Sequence, residues 1–167
     1  MFMKGILSSS MTQTNWKDVN KWYKRYLHLA KEVSLWSKDP NTKVGAVVVG
    51  TKGQILSQGY NGFPRGIKDT AKRLNDRDIK LSLVVHAEMN AIYNASYSGV
   101  SLAGATMFIH GLPACSECAK GIIQVGVSKV VVSKQCIEAR PHWNESWKQS
   151  MAMFEEAGVK MFIVNEE

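Results

Sequence analysis

His86, Cys115 and Cys118 are the residues of this chain whose types and spacing can do chemistry. Imidazole and two thiolates suit Zn²⁺, and three protein ligands leave a fourth position open. Zinc in an open site lowers the pKa of its water towards neutrality and makes hydroxide available. Glu88 stands two residues after His86, where it is better used to carry protons between water and a substrate nitrogen than to bind the ion. A C-x-x-C alone is ambiguous among zinc, redox chemistry and chance. A structural zinc normally takes a fourth protein ligand, for which Cys136 and His110 are the candidates. The combined pattern favours a catalytic ion, one Zn²⁺ per chain, with Glu88 as the acid–base residue.

These side chains need rigid supports. Asn15 is a good N-cap for a helix over 15–37. Its apolar members Val19, Trp22, Tyr26, Leu29, Val33 and Trp36 recur at helical spacing and are expected mostly in the core. Asp39, Pro40 and Asn41 end it, and a strand over 44–49 follows. Thr51, Lys52 and Gly53 read as a hairpin turn returning into a strand over 54–60. Residues 61–80 read as a long polar connection, a kind of loop that is usually functional or mobile. Then come a helix over 83–95 bearing His86 and Glu88, a strand over 105–109, a helix over 115–125 and a strand over 129–133. A helix over 143–157, stopped by Gly158, and a strand over 159–164 complete the order. Both ligand segments open helices, whose N-terminal N–H groups and dipole favour thiolate. Strands joined through helices pair in parallel. The fold class is therefore α/β, a three-layer α/β/α sandwich around a five-stranded mixed sheet whose first two strands form an antiparallel hairpin.

At 167 residues the chain reads as one domain over 15–167 behind a flexible tail over 1–14. The tail's apolar run is too short for a signal peptide, and Met11 offers an alternative start. A composition 45% hydrophobic and 21% charged supports a packed core rather than disorder. Three cysteines make no disulfide framework and fit a reducing, cytoplasmic setting. No stretch approaches a membrane span. The net charge of +7 suits an anionic ligand, but the basic residues are dispersed and do not choose between nucleotide and nucleic acid.

The pairing of H-x-E with P-C-x-x-C is that of zinc-dependent nucleobase deaminases. Here Pro113 stands one residue early, with Ala114 before Cys115, which leaves the loop geometry open and the ligand set intact. The segment over 37–46, SKDPNTKVGA, and the segment over 59–64, GYNGFP, resemble the deoxycytidylate (dCMP) deaminase family of the cytidine deaminase-like fold. Cys118-Ala119-Lys120 and Ile122-Ile123-Gln124 also fit that family. The resemblance runs from the first helix to the last strand. It implies hydrolysis of dCMP to dUMP and ammonia, feeding thymidylate synthesis. It also implies a homo-oligomer, often a hexamer, with dCTP as activator and dTTP as inhibitor, and Mg²⁺ accompanying a triphosphate effector. Under it, the Ala87 N–H holds the pyrimidine carbonyl and Asn61 contacts the sugar. Asn41 and Thr42 lie at the same sheet end as further pocket candidates, and Lys38 and Lys43 are candidates for the 5′-phosphate. Tyr60, Gly62, Arg65 and Lys68 fall in the effector-binding neighbourhood. Each of these has a competing local reading as a turn former or solvated charge. Phe63, Phe108 and Trp143 are expected in the core rather than stacked on a base.

A tRNA adenosine deaminase would share the zinc and glutamate, though the segment over 59–64 and the long insert before His86 speak against it and against nucleic acid as partner. Another small-molecule deaminase of the fold also stays open. A zinc-stabilised nucleotide- or nucleic-acid-binding module is the non-enzymatic reading, and Glu88 has no use there.

Overall fold

The valine-rich segments over 46–49 and 130–132 are buried along their whole length, as strands covered on two faces must be. The computed structural model of the chain describes residues 11–14, 21–138 and 144–165. Its strands are β1 (Met11–Thr14), β2 (Gly45–Val49), β3 (Ile55–Tyr60), β4 (Thr106–His110), β5 (Lys129–Ser133) and β6 (Lys160–Val164). Its helices are α1 (Lys21–Ser34), α2 (Ala71–Asn75), α3 (Arg77–Leu83), α4 (Ala87–Tyr97), α5 (Ser116–Gln124), α6 (Lys134–Glu138) and α7 (Asn144–Ala157).

The sheet order is β1-β6-β5-β4-β2-β3. Strands β4, β5 and β6 run parallel, and β2 lies antiparallel to both β3 and β4. Five of these strands are the mixed sheet read from the sequence. The sixth, β1, pairs in parallel with β6 in the register Met11 to Met161. The last four residues of the expected tail are thus an edge strand. Backbone pairing along an open edge needs no apolar pattern, so MTQT carried no signal.

Side chains alternate across the sheet and build two cores. On one face Val47, Val49, Phe108, Val131 and Val164 meet Leu27, Ala30 and Val33 of α1. On the other, Val48, Met107, Ile109, Val130 and Val132 meet Ala91 and Ile92 of α4, Ile122 of α5 and Phe154 of α7. That is the expected α/β/α layering.

The buried stripe of α1 differs from the expected one. Trp22 and Trp36 are 45% and 57% exposed. After Ser34 the chain tightens, with Leu35, Trp36 and Ser37 donating to the carbonyls three residues back, and Trp36 turns off the helical stripe. Asn15 and Val19 lie outside the described residues, as does Trp143.

The long connection holds two short helices. Thr70 caps α2 by accepting from the Arg73 N–H, and Asp76 caps α3 by accepting from the Ile79 N–H. Neither helix buries a residue, so neither left a periodic apolar trace. The excursion closes where Gly62 and Val85 exchange backbone hydrogen bonds of 3.1 and 2.8 Å. No described helix is long and apolar enough to cross a membrane.

Candidate active site

The Gly62–Val85 bridge delivers the chain directly into His86, the N-cap of α4. The helix is tied to β3 along its length. Asn90 Nδ2 donates to the Tyr60 carbonyl at 2.8 Å, Asn94 Nδ2 to the Gln58 carbonyl at 2.7 Å, and Ser57 Oγ to the Ala91 carbonyl at 2.6 Å. Cys115 is likewise the N-cap of α5, and its sulfur accepts from the Cys118 N–H. The extra residue Ala114 does not disturb this. It is fully buried, and its carbonyl accepts from Ser150 Oγ of α7 at 2.8 Å. Ser146 Oγ of α7 accepts from the Ser116 N–H at 2.9 Å.

His86 Nδ1 lies 3.5 Å from Cys115 Sγ and 3.4 Å from Cys118 Sγ. The three donor atoms fall within 4.8 Å of one another. Tetrahedral zinc with bonds of about 2.0–2.1 Å to nitrogen and 2.3 Å to sulfur sets those donors roughly 3.5 Å apart. The residues therefore fit the ion, through Nδ1 of the imidazole. Charge agrees with geometry. Hydrogen bonding from the Cys118 thiol, with help from His86 and against the effect of burial, brings Cys115 down to about 4. The Cys115 sulfur, burial and Glu88 push Cys118 up. A dication held between the two sulfurs would let both be thiolates beside the Glu88 carboxylate. Among the described residues no fourth protein donor joins the set. Cys136 and His110 lie near each other instead, 3.9 Å apart.

Glu88, in the first turn of α4, is buried, and burial pushes its carboxyl upward from the ordinary range. It lines a cavity of about 130 Å³ together with His86, Ala87 and Cys115. A cavity of about 150 Å³ holds a benzene molecule, so this one is comparable in size to a site for a single six-membered ring. Val44, Leu81, Val84, Leu112 and Pro113 make apolar walls, while Asp39, Thr42, Asn61 and Lys80 supply polar groups.

Of the residues singled out from the sequence, Ala87, Thr42 and Asn61 reach this cavity and Asn41 and Lys43 do not. Asn41 is exposed and gives its N–H to Asp39 Oδ1 at 2.8 Å. The Lys43 ammonium donates to the Ser37 carbonyl. Lys38 borders an adjoining recess and pairs with Asp69 at 2.7 Å. Asn61 Oδ1 accepts from the Val44 N–H and Nδ2 donates to the Thr42 carbonyl, both at 2.8 Å. Each amide atom retains one further lone pair or hydrogen.

Tyr60, Gly62 and Arg65 line a separate groove with Trp36, Tyr93 and Asn94, which Lys68 does not reach. Phe63 borders that groove and the recess, and Phe108 is core. Sequence reasoning missed Asp39 and Lys80. Lys80 comes from α3, and a mid-loop lysine announces its cavity only through the fold.

The layered sheet with this donor set at two helix N-termini defines a zinc-site deaminase. Residues 20–134 match the model of the cytidine and deoxycytidylate deaminase zinc-binding region, and the chain belongs to that family. It is 40% identical over 143 residues to an uncharacterized deaminase in the luxG 3'region of Aliivibrio fischeri, covering 86% of this chain and 93% of that protein. It is 35% identical over 149 residues to human deoxycytidylate deaminase, covering 85% of this chain and 79% of the human one. The crystal structure of dCMP deaminase from the cyanophage S-TIM5 in complex with dCMP and dUMP superposes with a TM-score of 0.68 at 26% identity, covering 87% and 98% of the two chains. The chain is a deaminase enzyme.

Proposed function

We propose that this enzyme hydrolyses dCMP to dUMP and ammonia. The observation that carries the reading is the placement of buried Glu88 in one ring-sized cavity with the His86–Cys115–Cys118 donor set. Zinc held by those three side chains supplies the Lewis acidity that activates water near neutral pH. Glu88 accepts the water proton and passes it to ring N3 as the oxygen adds at C4. Glu88 then takes the proton of the new C4 hydroxyl and gives it to the departing amine as the C4=O bond forms and the C–N bond breaks, so one water is consumed and one ammonia leaves. A carboxyl raised by burial is suited to both halves of that transfer. Ala87 contributes an N–H from the first turn of α4, where such groups have no intrahelical acceptor, and it orients the pyrimidine carbonyl. Asn61 and Thr42 face the sugar side.

Regulation by dCTP and dTTP belongs to the same proposal. The groove of about 480 Å³ bearing Tyr60, Gly62 and Arg65 supports it. A homo-oligomer is supported by the exposed Trp36, Tyr93 and Tyr97. The test is ammonia release from a panel of dCMP, CMP, dCTP, deoxycytidine and tRNA. The proposal expects dCMP to lead by at least tenfold in kcat/KM. A lead by tRNA or deoxycytidine would replace it.

A further inference from the structure

Lys80 is the Lys or Arg side chain that lines the ring-sized cavity among the described residues, and it also lines the adjoining recess of about 100 Å³. The two spaces share Asp39, Asn61, Lys80 and Val84. A base seated against Glu88 therefore has a polar recess beside it, and Lys80 and Asp39 border both spaces. Lysine and aspartate are 13% and 8% exposed, with Lys80 Nζ 3.2 Å from Asp39 Oδ1.

Two features separate this pair from an ordinary structural bridge. Asp39 Oδ1 is already held by the N–H groups of Asn41 and Thr42 at 2.8 and 3.1 Å, so the carboxylate is fixed without the lysine. An ammonium has three donors, and Asp39 takes one of them. The elements around Lys80 also give the core nothing, since α2 and α3 bury no residue. The excursion contributes where Lys80, Leu81 and Val84 meet the cavity. A mostly buried ion pair is weak as a stability device. It is effective at holding a flexible side chain in one place.

We propose that Lys80 is the residue that recognises the 5′-phosphate of the substrate, with Asp39 as the positioning residue that fixes its ammonium. This rests on the dCMP reading and adds the residue by which a nucleotide is told from a nucleoside. Lys43 is turned to the Ser37 carbonyl, and Lys38, which borders the same recess, is paired there with Asp69, whereas Lys80 borders both the recess and the cavity that holds Glu88.

The test uses zinc-loaded full-length protein and the variants Lys80→Gln and Lys80→Arg. The kcat/KM ratio of dCMP over deoxycytidine is expected to fall about 10- to 100-fold in Lys80→Gln, as for loss of a charged hydrogen bond, through KM more than kcat. Lys80→Arg should restore much of it. In the wild type, dCMP and inorganic phosphate should shield Lys80 from acetylation by acetic anhydride, mapped by mass spectrometry, whereas deoxycytidine should not. The mapping stands even if a variant fails to fold. A ratio unchanged in Lys80→Gln, an equal loss on both substrates, or acetylation indifferent to dCMP overturns the assignment of Lys80. A wild type that does not prefer dCMP to deoxycytidine overturns the parent reading as well.

Discussion

Strand β3 reaches α4 at Gly59, where an added Cβ would stand 2.3 Å from the amide nitrogen of Ala91. It would also lie 2.4 Å from the Ala87 carbonyl. Glycine here lets a strand approach the first turns of the helix that carries Glu88. Gly59→Ala should push α4 outward and cost about 1–3 kcal/mol as overpacking. The melting temperature should fall by roughly 2–4 °C for each kcal/mol. Turnover should fall with it. Calorimetry beside an activity assay checks this, and a variant with wild-type melting and turnover would show that the contact is soft.

Removal of either sulfur should empty the metal site. Purified protein is expected to hold one zinc per chain, and Cys115→Ala or Cys118→Ala should lose it, together with activity. Atomic absorption on protein dialysed against a mild chelator reads the outcome. Zinc kept in both variants would move the ion elsewhere.

Asn61 bonds both to the Val44 N–H and to the Thr42 carbonyl, so Asn61→Ala leaves two backbone groups without their side-chain partner. A loss of about 1–3 kcal/mol in stability is expected, since Val44 is buried. Urea unfolding measures it. If Asn61 serves the sugar as well, the KM for dCMP rises in excess of what the unfolded fraction explains. Full stability would leave the amide's scaffold role unsupported.

Legibility followed burial. Val130, Val131 and Val132 form a buried run whose strand reads directly, and the metal donors sit in short motifs that survive any uncertainty in element boundaries. The segment over 70–83 failed for the opposite reason, because its helices bury nothing and only the caps Thr70 and Asp76 marked them. Five-residue α6 (Lys134–Glu138) and edge strand β1 were too short to carry a period. Trp22 and Trp36 misled because a large apolar side chain is not always a core side chain. Lys80 reaches the cavity only after α3 has formed, so no local spacing announced it.

Asp39 makes stability depend on acid. Burial raises its pKa, but the N–H groups of Asn41 and Thr42 and the Lys80 ammonium outweigh that, and the net direction is downward. A depressed native pKa gives stability that is present above the unfolded value, near 3.8 for this group, and lost as pH falls through the native value. Between pH 6 and pH 3 the wild type should therefore lose more stability than Asp39→Asn. Urea midpoints at the two pH values measure the difference, and parallel losses would remove Asp39 from the acid response.

The most direct measurement of the central claim is turnover of dCMP in ¹⁸O-labelled water, with wild type and Glu88→Gln compared side by side at equal zinc content. Hydrolytic deamination predicts dUMP carrying one water-derived ¹⁸O at C4, one ammonia for each dUMP, and a loss beyond roughly a hundredfold in Glu88→Gln. Zinc-replete wild type that forms no labelled dUMP, or a Glu88→Gln variant that forms it at the wild-type rate, would contradict the account.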